Sequence, residues 1–354
     1  MSGSTTLVVL NYAVDSRHPI FSHQSEVVRR LAHNFDRVIV ITGEYSKDEC
    51  LPDNVNVFST NWVAGTRISS AVRFLRIFYA ATKDLGPYVI FSHMTEVQSF
   101  LIAPWVWIKS KSHFLWYAHK SKSKYLLLCY PFLSGVISST QGSCPLHGRK
   151  VHFVGQGVDE KIFLRKDPAY SPPKNGIRGI TVGRLDPSKR VEEIVLSSIA
   201  GTSKERFLNL TLIGAPSKGY ASYNEELRQE FAQLISSSRL FFKGSMERKS
   251  LPFLMQNSDV FLHAFRGSLD KTLIEATIFG LPVITSNIEY ISIFGSWSDS
   301  QHSNINLTME VRAFLERPIR DIEAEINRRQ HIALSNHSLT QWIEQVIKLI
   351  KAEI

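Results

Sequence analysis

The sequence predicts an α/β protein of two domains, each built on a doubly wound parallel sheet, facing each other across a cleft. Three observations predict it. Short β-rich runs alternate with helical stretches along most of the 354 residues, which is the pattern of parallel strands covered by helices. The length accommodates about two cores at roughly 150 residues each. Between the halves, RKDPAYSPPKN at 165–175 places three prolines in a polar stretch and marks a linker.

In the first half, strands are expected at Thr6–Leu10, Arg37–Thr42, Tyr88–Ser92, Phe114–Ala118, Gly135–Ser139 and Val151–Val154. A helix should start near Ser22 as its N-cap and bury Val27, Val28 and Leu31. The second half repeats the alternation, with strands at Gly179–Val182, Leu210–Ile213, Leu240–Phe242, Val260–His263 and Pro282–Thr285. Its helices are expected around Val191–Ile199, Asn224–Ile235 and Lys271–Phe279. These elements divide the chain into a first domain at 1–164, the linker at 165–175, and a second domain at 176–338. The last helix, 339–354, is amphipathic, and a return to the first domain is open to it. In such folds ligands gather at the C-terminal strand ends, so two facing domains would offer opposite walls of one cleft to two substrates.

Composition narrows the class. With 44% hydrophobic, 11% aromatic and 21% charged residues, disorder, collagen-like repeats and low-complexity scaffolds are excluded. The longest apolar runs, Phe100 to Ile108 and Tyr125 to Leu133, fall short of the roughly 20 residues a spanning helix needs. The start, MSGSTTLVVL, lacks a basic n-region and does not read as a secretory signal. Cys50, Cys129 and Cys144 are few, odd in number and far apart, which argues against a disulfide framework or a zinc site. A cytoplasmic location is expected.

Charge is uneven. The formal net charge is +9; residues 1–150 hold 16 Lys/Arg against 9 Asp/Glu, or +7, and the remainder 25 against 23, or +2. Residues 67–124 carry nine basic residues against Asp84 and Glu96, interleaved with Phe, Trp, Tyr, Leu and Ile. That mixture suits a surface that meets anionic lipid, or a solvated basic face beside an ordinary core. No recognisable nucleic-acid module accompanies it, so no nucleic-acid partner is expected.

Neither G-x-x-x-x-G-K-[ST] nor G-x-G-x-x-G after a strand is present, which removes the best support for a P-loop NTPase or a dinucleotide dehydrogenase. No D-x-D occurs either, and no metal or other cofactor is expected. Instead, ITVGRLDPSKRVEEIV gives a strand end, a turn at Gly183, and Arg184 and Lys189 before a helix start, as for an anion, or as scattered charges of a surface loop. About 80 residues later, SDVFLHAFRGSLDKTLIEATIFGLPVITSN reads as strand, loop, helix, turn, strand, with Gly280 ending the helix. Its loop Gly267, Ser268, Leu269, Asp270, Lys271 offers N–H groups at a helix N-terminus plus a lysine, and Glu275 stands one turn further where a ribose diol could donate to it. The plainer alternative is that Asp270 caps the helix and Glu275 is solvated.

These runs, with FFKGSMERKSLPFLMQNSDVFLHAF at 241–265 and VGQGVDEKIF at 154–163, resemble the retaining glycosyltransferases of the two-Rossmann-domain (GT-B) type, family 4 of that group, over nearly the whole chain. The resemblance implies an acceptor-binding first domain and a nucleotide-sugar donor held mainly by the second. Arg184 and Lys189 would neutralise its diphosphate, the backbone at Phe242, Lys243 and Gly244 would face the base, and Glu275 would hold the ribose. His119, after FLWYA, matches the histidine such enzymes place near the donor sugar; with Asp270 and Lys271 it completes the catalytic set. The family commonly carries two glutamates separated by seven residues, and the first falls here at Gly267. The first loop, NYAVDSRHPIFSHQ, also departs, offering Arg17, His18 and His23, with His93 further on, towards acceptor or donor phosphate.

The implied chemistry breaks the bond between anomeric carbon and phosphate, with fixed cations stabilising the departing diphosphate most in the transition state. The acceptor hydroxyl would attack from the leaving-group face and give its proton to that phosphate, while domain closure excludes water. In TRISSAVRFLRIFYAATK, Ile68, Val72, Leu75 and Tyr79 share one helical face, with Phe74, Ile77 and Phe78 widening it and Arg67, Arg73 and Arg76 alongside. The segment suits peripheral contact with the inner face of the cell membrane and a polyprenyl-linked glycan acceptor in cell-surface polysaccharide or glycolipid synthesis, or else a core helix with snorkelling arginines. Two competing functions remain: an inactive relative that binds a nucleotide sugar or a partner, and a GT-B-like nucleotide-sugar epimerase, whose acid and base carboxylates are not evident.

Overall fold

The computed structural model describes residues 5–18, 20–62, 67–165, 176–200, 207–217, 219–298 and 305–353; the expected linker, but for Arg165, lies outside them. The chain forms two compact units, one of Met1–Gly157 with Leu339–Ile354, the other of Val158–Ser338.

Unit 1 is a seven-stranded parallel sheet. Its strands are β1 (Thr6–Val14), β2 (Arg37–Tyr45), β3 (Val55–Ser59), β4 (Tyr88–His93), β5 (His113–Trp116), β6 (Gly135–Ser138) and β7 (Val151–Phe153), in the order β3-β2-β1-β4-β5-β6-β7. All pair in parallel, β1 against β2 from Thr6↔Arg37 to Val14↔Tyr45 and against β4 from Thr6↔Tyr88 to Leu10↔Ser92. The helices are α1 (His23–Ala32), α2 (Arg67–Thr82), α3 (Glu96–Ile108) and α4 (Lys124–Cys129). Because side chains alternate along a strand, β1 sends Leu7 and Val9 towards α1 and Val8 and Leu10 towards α2 and α3. Helix α1 buries Val27, Val28 and Leu31 as its periodicity predicts; Ser22 occupies the N-cap position in helical conformation, however, and its side chain makes no cap hydrogen bond.

Unit 2 carries β8 (Ile177–Val182), β9 (Phe207–Ile213), β10 (Leu240–Phe242), β11 (Val260–His263) and β12 (Val283–Thr285), all parallel, in the order β10-β9-β8-β11-β12. Its helices are α5 (Glu160–Phe163), α6 (Val191–Val195), α7 (Ala221–Glu230), α8 (Ala232–Ser236), α9 (Leu251–Gln256), α10 (Lys271–Phe279), α11 (Ile288–Phe294), α12 (Leu307–Glu316) and α13 (Ile319–His337). Helix α10 is buried from Leu273 to Phe279, Glu275 and Thr277 included, and Gly280 ends it at φ +85.

The last helix, α14 (Leu339–Lys351), packs in unit 1 on the same sheet face as α1. Its stripe of Leu339, Trp342, Ile343, Val346 and Ile350 is entirely buried. Trp342 stacks edge-on to Trp116 at 5.1 Å and Phe91 at 6.0 Å, and its indole crowds Gly157 so closely that a Cβ there would come within 2.9 Å.

Candidate functional site

In both sheets the winding reverses once, between β1 and β4 in unit 1 and between β8 and β11 in unit 2. Loops that leave adjacent strands in opposite directions open a crevice at their C-terminal ends, where doubly wound sheets hold ligands. The loops after β1, β8 and β11 and the end of β4, which carry most of the sequence-predicted residues, lie at these two points; Phe242–Gly244 lie at the end of β10 and His119 follows β5.

In unit 2, the loop after β8 is pinned by Asp186, whose carboxylate accepts from the Ser188 N–H (3.1 Å) and the Ser217 hydroxyl (2.9 Å) and lies 3.7 Å from Arg184 Nε. Burial would raise this carboxyl, but the serine hydrogen bonds and the charges of Arg184 and Lys189 hold it below its ordinary value. Gly183 was expected to supply the turn; the crowded glycine is instead its neighbour Gly214, at φ +146, where a Cβ would strike the Gly183 carbonyl. Arg190 adopts the left-handed conformation at φ 53, a cost that non-glycine residues bear mainly where a loop is held for function.

The loop after β11 meets it. Lys189 Nζ donates to Asp270 Oδ2 and lies 4.1 Å over the Phe265 ring. Asp270 also caps α10, its Oδ1 accepting from the Thr272 N–H at 3.4 Å. His263, at the end of β11, sits with Nε2 3.4 Å from Asp270 Oδ2 and Nδ1 3.1 Å from the Thr285 hydroxyl. Burial favours the uncharged form of Asp270, yet Lys189 and His263 outweigh it and hold the carboxyl well below the ordinary range. Burial in turn pushes the His263 imidazole down, against the opposing pull of Asp270. Asn287 ties the loop down by donating to the carbonyls of Phe265 (2.7 Å) and Ser268 (3.3 Å), while Leu269 is buried in the core and offers the site only its backbone.

Two residues the sequence reading left out complete the site. Arg248, beyond β10, forms an ion pair with Glu275, whose side chain is 1% exposed. Glu275 is thus neither solvated nor open, contrary to the plainer expectation: its carboxylate is held by a guanidinium. Burial brings Arg248 down to about 10 and, with the nearby Arg248 charge, pushes Lys271 well below its ordinary value. Phe265 is the second. A Cβ on Gly267 would lie 2.0 Å from its Cζ, so an aromatic ring fills the space a side chain at 267 would need.

Phe242, Lys243 and Gly244 close the adjacent edge. The Lys243 N–H donates to Leu212 (2.9 Å), the Gly244 carbonyl accepts from Gly214 (2.8 Å), and the Arg228 guanidinium lies 4.3 Å over the Phe242 ring. Arg184, Lys189, Arg248 and Lys271 each lie near a carboxylate, so an incoming polyanion can replace acidic partners rather than enter a site of unbalanced charge. Among the described residues no group of three or more His, Cys, Asp or Glu side chains is placed to hold a metal ion.

In unit 1, His18 and His23 follow β1 and His93 ends β4, next to Met94 at φ 62. His18 Nδ1 accepts from the N–H groups of Ile20 (3.1 Å) and Phe21 (2.9 Å). His23 and His93 meet edge-on at 5.6 Å, and His93 leans on Trp342 at 5.9 Å. The Arg17 side chain pairs with exposed Asp48 at 2.8 Å. His119, past β5, is exposed; its Nδ1 accepts from the Ser121 N–H at 3.1 Å, which leaves the proton of the neutral ring on Nε2. The loop after β1 joins Arg17, His18 and His23 in the sequence itself, and only the strand order sets His93 beside His23.

Residues 165–292 match the family model described as glycosyl transferases group 1. No curated protein matches the sequence. Solved structures match over nearly its full length. Anabaena HepE in complex with UDP-glucose is 15% identical, covers 98% of this chain and 99% of its own, and superimposes with a TM-score of 0.73. Sucrose-phosphate synthase from Thermosynechococcus elongatus is 13% identical over 98% of both chains, with a TM-score of 0.74. The lipopolysaccharide outer core galactosyltransferase WaaB, in its apo form, is 14% identical over 99% of this chain and 100% of its own, with a TM-score of 0.67. The chain therefore has the GT-B fold of two Rossmann-like domains, and its second unit carries the match to glycosyl transferases group 1.

Proposed function

We propose that the protein is a retaining glycosyltransferase, of family 4, that moves a sugar from a nucleotide-sugar donor to a glycan or lipid-linked acceptor. The observation that carries this reading is the cluster of Arg184, Lys189, Arg248 and Lys271 at the switch point of unit 2, each cation near a carboxylate. A nucleoside diphosphate fits that exchange. Its phosphates would take Lys189 from Asp270 and Arg184 from Asp186, and its ribose hydroxyls would donate to Glu275, releasing Arg248 towards the phosphates. The anomeric carbon–oxygen bond then breaks with the electron pair leaving on the diphosphate, and the acceptor oxygen bonds that carbon from the same face. The acceptor proton passes to the departing phosphate oxygen. Side-chain cations supply the countercharge in this scheme, with no metal assigned a step. Asp270 fixes Lys189 and the start of α10, so its role is positioning; His119 is assigned to the donor sugar. The acceptor side belongs to the unit 1 loops bearing His18, His23 and His93, and a peripheral site on an inner membrane face suits a polyprenyl-linked acceptor made for cell-surface polysaccharide or glycolipid.

The test is a thermal-shift and turnover panel of UDP-, GDP- and ADP-sugars in EDTA, with and without membrane extract. One nucleotide class should raise the melting temperature and release its diphosphate when acceptor is added. Arg184→Ala and Lys189→Ala should each weaken nucleotide binding by about 10- to 100-fold, the loss of a charge-assisted contact. Stabilisation without turnover on any acceptor would favour a binding-only relative, which the loss of a carboxylate at Gly267 makes the second reading. No stabilisation by any nucleotide refutes the site.

A further inference from the structure

The sheet of unit 1 is covered differently on its two faces. One bears α1 and α14; the other bears α2 and α3, which pack through Phe74, Phe78, Ile102 and Val106. The sequence placed Ile68, Val72, Leu75 and Tyr79 together on one face of α2, and the structure turns that face outward: Ile68 is 82% exposed and Tyr79 53%, while Phe74 and Phe78 are buried. At the end of the neighbouring α3, Trp107 is 71% and Ile108 69% exposed. The two helices touch through Tyr79 and Trp105, whose rings meet at 5.6 Å. An outward helix face is ordinarily polar, and single exposed apolar residues need no explanation. Here consecutive turns of α2 and the last turn of α3 present aliphatic and aromatic side chains, which marks an interaction surface.

Its charge identifies the partner. Exposed Arg76 lies along the α2 stripe, exposed Lys83 follows the last residue of α2 and lies 3.8 Å from Asp84, and Lys109 follows directly on Trp107 and Ile108, with Lys111 two residues further. Arg73 is anchored by donating to the carbonyls of Thr60 (3.3 Å) and Asn61 (3.2 Å). Helix α2 contains no acidic residue. A second protein chain would require carboxylates opposite these cations, set among matching apolar pockets. An anionic bilayer supplies phosphate charge above and hydrocarbon below, in the order that lysine and arginine heads around an aliphatic and tryptophan stripe require.

We propose that the outer face of α2 and the end of α3 seat unit 1 on an anionic lipid surface, with Val72, Leu75, Tyr79, Trp107 and Ile108 entering the interface and Arg76, Lys83 and Lys109 meeting headgroup phosphates. This deepens the membrane-acceptor reading above and rests on it for its purpose, though not for its measurement. Co-sedimentation of the full chain with phosphatidylcholine vesicles, with and without phosphatidylglycerol, reads it directly. Anionic vesicles should bind at least about 10-fold better than neutral ones, and high salt should remove the difference. Arg76→Gln/Lys83→Gln should lose about 10-fold or more in partition, and Leu75→Ser/Tyr79→Ser and Trp107→Ser/Ile108→Ser should each lose at least as much. All three variants should keep the parent melting temperature and its shift with whichever nucleotide stabilises the parent. Absence of binding, equal binding to both vesicle types, or binding indifferent to the substitutions would overturn the proposal. So would a dimer, seen by sedimentation in solution, that Leu75→Ser/Tyr79→Ser splits. Vesicle binding without any nucleotide-induced shift would retain this surface and refute the donor site, and the reverse result would do the opposite.

Discussion

At the scale of single residues, the site is a set of cations held by acids, and its oddest member is an absence. Gly267 stands where the resemblance places a glutamate, and the Phe265 ring stands where that side chain would go. The two positions are therefore coupled. Gly267→Glu should destabilise by about 1–3 kcal/mol, since the added atoms force the ring from its place over Lys189. Phe265→Ala/Gly267→Glu should recover most of that loss in chemical denaturation, beyond the sum of the single changes. Arg248 offers a second check at this scale. Arg248→Met leaves Glu275 buried without its partner and should cost about 3–5 kcal/mol, while Arg248→Met/Glu275→Leu should cost less, a contrast that denaturant midpoints resolve. The sequence showed Arg184, Lys189, Asp270 and Glu275 because strand, loop and helix start are local signals. It hid Arg248 and Phe265, whose positions depend on which loops the sheet order brings together.

At the scale of elements, β-strands with continuous apolar runs were legible. Leu240–Phe242, Val260–His263 and helix Lys271–Phe279 coincide with their sequence-read bounds. Strand β3 was missed, since an edge strand of alternating burial has only Val55 and Val57 to announce it. The apolar stripe of α2 was legible but its direction was left open, because periodicity identifies a stripe without telling which of two the sheet receives; the sheet takes Phe74 and Phe78 and leaves Ile68, Val72, Leu75 and Tyr79 outward. Buried histidines add an acid response. On β5, burial lowers His113 to about 3, with Nε2 2.7 Å from the Ser92 hydroxyl; at the end of α13, burial lowers His337 to about 4. In the unfolded chain both take up protons near pH 6.5, so unfolding binds protons between that pH and the folded values. Stability should be full above pH 6.5 and fall as pH drops below it, by about 2 kcal/mol per histidine at pH 5. Melting temperatures from pH 7.5 to 5 check the trend, and His113→Gln should remove about half of it, because glutamine keeps a polar atom towards Ser92 without titrating.

At the scale of the whole molecule, unit 1 draws on both ends of the chain. The α14 stripe buries five apolar side chains against it, worth on the order of 10 kcal/mol, as much as a domain's entire stability. Truncation after Ser338 should therefore unfold unit 1 and spare unit 2. Limited proteolysis of the truncated chain should degrade residues 1–157 and leave a resistant fragment within 158–338, whereas the full chain should protect both. The fold class and the number of sheets were legible from alternation and length. The return of the terminal helix to the first unit was legible only as one open course, because an amphipathic stripe states that it must be covered without naming what covers it.

The same arrangement sets an order for synthesis. The whole of unit 2 leaves the ribosome between Gly157 and Leu339, an interval of roughly ten to forty seconds at ordinary elongation speeds. During it the nascent first sheet keeps the seat of Trp342 open, with Phe91 and Trp116 uncovered. The half made first is thus finished last, and chaperones that hold apolar surface have that interval in which to act on it.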